Sequence, residues 1–324
     1  MSRRLYTVLR VPTGSPVRVD RFLAQNLPGV SRRSIQRLLE LGRIRVGGRR
    51  VRKGEALPGG AELDVEVAGG TTRSLSPEAE PPVSILYEDE SVVALDKPPG
   101  RPAHALTPDD RGTVANFLAA RYPQAANASP NPLEQGLVHR LDSDTSGVLL
   151  AAKNREHWHD LRRKFREREI EKRYLALVTG VVRSPGKIAS PIAPDPRNRR
   201  RVRVAASPDS DPRARPALTR YRPLATYDGS TLLEVEMPTG VMHQIRAHLA
   251  SIGHPVVGDS LYGRNGAPKA TRQLLHAVSL AFDHPATGRR MRIESPLPAD
   301  FSAALRELRA RSPHQDRPAR KRRP

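Results

Sequence analysis

The chain has 324 residues, 37% hydrophobic and 4% aromatic, which is enough apolar material for one large packed domain with a smaller one beside it. Lys and Arg number 55 against 34 Asp and Glu, and the net charge of +21 points to a polyanionic partner, nucleic acid before membrane. The lack of cysteine excludes disulfides, thiol catalysis and cysteine-based metal sites and fits a cytoplasmic protein; no apolar run approaches the roughly 18 residues of a membrane helix, and the basic start MSRRLYTVLRVPTG is too poor in apolar length for a signal peptide.

Residues 16–67 read as a compact basic module. Val19, Phe22 and Leu23 are spaced as one helix face. Ser31 is placed to cap a second helix through Leu41, with Ile35, Leu38 and Leu39 as its stripe, Arg32, Arg33 and Arg37 off it, and Gly42 as its stop. Two short strands follow around Gly47-Gly48, the first beginning at Arg43, and Leu63, Val65 and Val67 alternate as a closing strand. Residues 1–67 hold fourteen Lys and Arg against six Asp and Glu, clustered from Arg32 to Lys53, a distribution suited to phosphate contacts. The helix pair followed by GRIRVGGRRV resembles the S-four RNA-binding domain.

Residues 68–82 lack apolar periodicity and are expected to be a linker. Strands are expected at 83–87 and 92–95, broken by Asp96-Lys97-Pro98-Pro99-Gly100, with a helix at 113–122. GLVHRLDSDTSGVLLAAK, residues 136–153, reads as strand, tight loop, strand. Asn154 can cap a helix to about Glu169 with Trp158, Leu161 and Phe165 on its apolar face, and Lys172–Val178 is strand-like. Residues 194–216 read as a long basic loop. LLEVEM, 232–237, is a strand that turns at Thr239-Gly240 into the helix HQIRAHLASIG, and further strands are expected at 274–282 and 290–293. The segment from 306 on, strongly basic, reads as a disordered tail.

The candidate for chemistry is Asp142, in a polar loop among basic residues. Residues 142–147 match the first half of a calcium loop, but Lys153 stands where the bidentate Glu belongs, so no metal is expected. Ser143 and Ser146 lack a nucleophile elbow, and no phosphate-binding glycine motif is present. An aspartate that must stay ionised while partly buried needs a cation nearby, and Arg246, on the helix after Thr239-Gly240, is the candidate. Taken singly, Asp142 is a turn former, Tyr174 a core residue and Arg246 a surface cation.

HRLDSDTSG, KRYLALVTG, TGVMHQIRAHLASIGHPVVGDSLYG and LLHAVSLAFDHPATG occur in an order and at distances similar to those of the RluA-type pseudouridine synthase family, in the branch with an N-terminal S-four domain. The likeness runs from about residue 16 to 300, and ALDKPPGRPAHAL resembles the element that opens the family's catalytic domain. The resemblance implies an α+β protein: a largely antiparallel mixed sheet in a catalytic domain at 83–305, behind the RNA-binding domain at 16–67. It implies that Asp142 is the catalytic aspartate, that Tyr174 packs against the target uracil and serves in proton removal from carbon 5, and that Arg246 pairs with Asp142. Arg140 would hold the flipped nucleotide or the RNA backbone, with Arg32, Arg33, Arg37, Arg43 and Lys53 on RNA as well. One departure is Val241, where the family usually carries Arg. Asp142 could attack the ribose, remove a ribose proton or add to the base. The implied partner is ribosomal RNA or a pre-ribosomal particle, bound by a monomer without cofactor. The rival readings are a noncatalytic RNA-binding or ribosome-assembly protein and a magnesium-dependent aspartyl phosphotransferase.

Overall fold

The computed structural model describes residues 4–27, 30, 32–68, 75–263 and 270–311; for 4–7, 32–34, 67 and 68 it describes the backbone alone. The N-terminal unit runs β1 (Arg4–Arg10), β2 (Val17–Arg18), α1 (Val19–Asn26), α2 (Arg32–Glu40), β3 (Ile44–Val46), β4 (Arg49–Arg50), β5 (Ala56–Leu57) and β6 (Glu62–Ala68). Its main sheet has the order β1-β6-β3-β4, and its pairs are antiparallel. The apolar stripes of the helices, Phe22 and Leu23 with Ile35 and Leu39, share one core with Ile44, Leu63 and Val65. Gly42, at φ +66°, ends α2, and the Arg43 N–H returns to the Leu38 carbonyl. The expected cap, Ser31, lies outside the described residues. Strand β1 was not expected: its basic sequence hides it, and the partner it needs, β6, stands at the far end of the unit.

The second unit begins before its first strand. Leu75 is buried in the main core, the Glu78 N–H donates to the Asn116 carbonyl, and Arg101 donates to the Pro81 carbonyl. The later part of the expected linker is therefore laid on this unit, anchored by one leucine that has no periodicity to announce it. In chain order follow β7 (Ser84–Glu88), β8 (Val92–Lys97), α3 (Val114–Arg121), β9 (Ser146–Ala152), α4 (Arg155–Glu167), β10 (Glu171–Thr179), β11 (Gly186–Ile188), β12 (Ile192–Pro194), β13 (Val202–Val204), β14 (Thr219–Tyr227), β15 (Ser230–Glu236), α5 (Gln244–Ser251), β16 (Leu275–Asp283), β17 (Arg290–Glu294) and α6 (Ala299–Arg311). Nine of these strands form one sheet, β11-β14-β15-β10-β16-β9-β8-β7, with β17 beside β16. Its pairs are antiparallel except β9 with β16, which run parallel where Ser146 meets His276 and Gly147 meets Ala277. The mixed, largely antiparallel sheet and the α+β class agree with expectation.

β9 is apolar throughout because both of its faces are covered. Leu149 and Ala151 share a core with Leu118 of α3 and Leu249 of α5, whereas Val148, Leu150 and Ala152 pack with Leu161 of α4. Each of these leucines is fully buried, and burial of one is worth about 2–3 kcal/mol. Asn154 caps α4 as expected, its side chain accepting from the His157 N–H, and Thr113 and Asn116 form a reciprocal capping box on α3.

Three expectations fail locally. Leu137 makes an isolated bridge to Ala151 and no strand precedes the Asp142 loop. The basic segment 194–216 is not all loop, because Val202 and Ala205 are apolar enough to be buried and β13 pairs with β12. The expected tail begins too early: residues 306–311 are the last turns of α6, whose Phe301, Leu305 and Leu308 bury against Leu177 and Leu232, while 312–324 lie outside the described residues. Among the described residues no helix is long and apolar enough to cross a membrane.

Candidate active site

Asp142 lies in the loop that leads into β9. The Thr145 N–H donates to the Asp142 carbonyl and tightens the turn. The loop then runs straight into the parallel contact with β16, where Gly147, at φ +115°, lies so close to the Ala277 carbonyl that a Cβ could not fit. Ser146 Oγ bonds to His276 Nδ1 at 3.0 Å. From below, Lys97, at the end of β8 and fully buried, donates to the carbonyls of Pro98, Arg101 and Ser143 at 2.8, 2.6 and 2.6 Å. Burial pulls its amine down to about 7, against the charges of Asp144 and Asp142. Three carbonyl acceptors favour the ammonium, because a neutral amine has only two protons to give. Arg272 donates to the Asp144 carbonyl at 2.9 Å and is itself forked to Asp300. The loop is thus held by cations acting on its backbone, and the Asp142 side chain remains for the cleft.

That side chain is gripped from α5. Arg246 Nη1 donates to Asp142 Oδ2 at 2.7 Å, while its Nε and Nη2 form a fork to Asp259 at 2.7 and 2.9 Å. The side-chain exposures rank the three groups: Asp142 18%, Arg246 4%, Asp259 0%. Asp259 also accepts from the N–H groups of Leu261 and Tyr262. Burial pushes the Asp259 carboxyl up, but the Arg246 bonds and charge, with those N–H groups, outweigh it and hold it below the usual carboxylate range. Burial likewise opposes the charge on Arg246, and two carboxylates overcome it. Asp259 was not singled out from the sequence, although HPVVGDSLYG contains it.

Tyr174, on β10, lines the same cleft as Asp142 and Arg246, a space of about 690 Å³. It is buried, and burial followed by the charge of Asp142 pushes its phenol well above the usual range. A phenol held protonated fits an aromatic platform better than a base at carbon 5. His243, on the α5 approach at φ +54°, places Nε2 3.8 Å from Asp142 Oδ2 and Nδ1 3.2 Å from the Tyr262 hydroxyl. Burial lowers its pKa, so the contact with Asp142 is not an ion pair. His139 is a fixed acceptor: its ring stacks on Phe165, its Nε2 takes the Leu150 N–H at 3.0 Å, and burial with Lys172 and Arg162 lowers it to about 3.

Arg140 is exposed at the cleft with no acidic partner among the described residues. Val241 packs with Ile192, Val202 and Tyr262, and Arg215 reaches the same cleft. In the N-terminal unit Arg37 and Lys53 are exposed, Lys53 donating to Gln36 on α2 at 2.8 Å, and Arg43 is half-buried at the start of the hairpin. Arg32 and Arg33 open α2, and their side chains lie outside the described residues. Among the described residues no three His, Asp or Glu side chains gather so as to hold a metal ion.

A carboxylate held by arginine in a basic cleft on a mixed sheet, in a chain that also has a small basic module, invites comparison with enzymes that act on RNA. Residues 91–251 match the RNA pseudouridylate synthase family, and residues 17–63 match the S4 (S-four) domain. The chain is 40% identical over 302 residues to an RNA pseudouridine synthase of Chloroflexus aurantiacus, described as uncharacterized, covering 93% of each. This chain belongs to the RNA pseudouridine synthase family. It is also 38% identical over 302 residues to ribosomal large subunit pseudouridine synthase D of Nitrosomonas europaea, covering 90% of this chain and 85% of the relative. The solved human RNA pseudouridylate synthase domain containing 4 superposes with a TM-score of 0.54 at 26% identity, over 70% of this chain and 93% of that one. The protein is accordingly an isomerase of RNA uridine, with an RNA-binding domain ahead of its catalytic domain.

Proposed function

We propose that the enzyme converts uridine to pseudouridine in large-subunit ribosomal RNA, with Asp142 as its catalytic carboxylate. The observation that carries the site is the Arg246 guanidinium, which is shared between Asp142 and the buried Asp259 and thereby fixes Asp142 in the cleft that Tyr174 also lines. The ribosomal target is supported by the names of the relatives. A uridine must leave its stack to reach Asp142, at a cost of a few kcal/mol. Stacking on Tyr174 would return about 1–3 kcal/mol of it. The N1–C1′ bond then breaks, the base turns in place, C5 bonds to C1′, and C5 loses a proton while N1 ends with one. Bonds and protons balance without oxidation or reduction.

Arg140 is proposed to hold the flipped nucleotide or the backbone beside it. Arg32, Arg33, Arg37, Arg43 and Lys53 of the module at 16–67 are proposed to contact RNA phosphates, with the catalytic domain extending from 83 to the end of α6. The enzyme is proposed to act as a cytoplasmic monomer on ribosomal RNA or a pre-ribosomal particle. Pseudouridine mapping in ribosomal RNA from cells with and without the protein tests the target: loss of one or a few large-subunit sites is expected, and an unchanged map refutes it.

A further inference from the structure

Around the cleft, one wall carries cations without counter-charge. It is made by the end of α4 and the start of β10. Arg168 follows α4 in the left-handed region, at φ +65°, where a glycine would sit without strain and an arginine does not. The acids on either side of it point elsewhere: Glu167 and Glu169 are both taken by Arg163. Lys172, buried on β10, gives one proton to the Thr239 carbonyl at 2.9 Å and has no carboxylate partner among the described residues, which leaves two protons to donate. Its amine is lowered to about 8 by burial and then by the neighbouring charge of Arg168. Arg168 and Lys172 both line the catalytic cleft. The helix dipole favours cations in the last turn of α4 and accounts for Lys164 and Arg166. It does not account for a second, buried cation that a strand brings to the same cleft. An anion between the two would relieve their repulsion and take up their free protons.

We propose that Arg168 and Lys172 form a phosphate subsite on the α4 wall of the cleft, which takes an RNA backbone phosphate flanking the target nucleotide. The guanidinium supplies paired donors matched to two phosphate oxygens, and the ammonium supplies a point charge. The subsite rests on the reading of this cleft as the place where the RNA is modified.

The test is binding of the full-length protein to fluorescent heptauridylate at several KCl concentrations. Arg168→Gly is the informative variant because glycine is at ease in the backbone there, so its melting temperature should equal or exceed that of the wild type. At low salt its affinity should fall about tenfold. The slope of log Kd against log salt should become shallower by about 0.7, the share of one single-strand phosphate. Arg168→Lys should restore the slope, and Arg222→Ala, which removes an exposed cation paired with Glu234, should leave it as in the wild type. An unchanged slope in Arg168→Gly, or an equal loss in Arg222→Ala, overturns the subsite. Pseudouridine formation by Asp142→Asn separately decides the reading beneath it: an inactive Asp142→Asn with an unchanged Arg168→Gly slope refutes the subsite alone.

Discussion

Replacing Asp259 by Ala should unfold the support of the site as well as silence it. The side chain is fully buried, receives two bonds from Arg246 and accepts two backbone N–H groups. Breaking a buried ion pair by removing one partner costs about 3–5 kcal/mol. Each N–H left without an acceptor adds about 1–3 kcal/mol when nothing relaxes. Arg246 would keep Asp142, and water could reach the vacated N–H groups, so the net loss should be about 4 kcal/mol. For a unit of this size, each kcal/mol lowers the melting temperature by about 2–4 °C, which gives a drop of roughly 8–16 °C. Asp142→Asn removes a more exposed carboxylate that accepts one bond from Arg246, and should melt within about 4 °C of the wild type. Thermal denaturation followed by circular dichroism, with a pseudouridine assay on the same samples, measures both. An Asp259→Ala protein that melts within about 2 °C of the wild type and remains active would refute the assignment of Asp259 as the anchor of Arg246.

Further outcomes follow from the same geometry. Arg246→Lys cannot span both carboxylates and should lower kcat at least about 100-fold with RNA affinity kept, since one ammonium cannot keep the Asp259 fork and the bond to Asp142 together; near-normal turnover contradicts this. If Tyr174 acts as a platform, Tyr174→Phe should stay within about tenfold of wild-type kcat/KM, whereas Tyr174→Ala should lose roughly 5- to 150-fold, the equivalent of about 1–3 kcal/mol of stacking; an inactive Tyr174→Phe would restore the phenol as a base. Desolvation lowers His139 to about 3 in the folded protein against about 6.5 in the unfolded chain, so between those values the unfolded state binds the extra proton. Its contribution is complete above pH 6.5 and is lost as pH falls, about 3 kcal/mol by pH 4 and up to about 5 kcal/mol in full. Urea unfolding at pH 7 and pH 4 should therefore show a smaller acid loss in His139→Gln than in the wild type, and equal losses would contradict the neutral ring.

What could be read from residues alone follows the range of the forces involved. Local signals are legible: Asn154 as a cap, Gly42 as a stop, the alternation of Leu63 and Val65. Asp142, Tyr174 and Arg246 could be named because each sits in a stretch with a recognisable pattern, and the structure brings all three to one cleft. Asp259 could not be read, because an aspartate in a glycine-flanked loop looks like a turn former until the loop folds back beneath α5. Strand β14, TRYRPLATY, is masked by its arginines and proline; its arginines pair with Glu234 and Glu236 across the sheet, a compensation visible only in register. His243 reads as a structural histidine, and the fold sets it at φ +54° with its Nε2 3.8 Å from Asp142 Oδ2.

The measurement that bears most directly on the central claim is pseudouridine formation by the Asp142→Asn protein on unmodified large-subunit ribosomal RNA, with affinity for that RNA measured alongside. The expected result is no detectable pseudouridine, affinity within about twofold of the wild type and a normal melting curve, because the exchange removes one partly exposed charge and leaves the loop's backbone anchors at Lys97 and Arg272 in place. Wild-type modification by that protein would contradict the account.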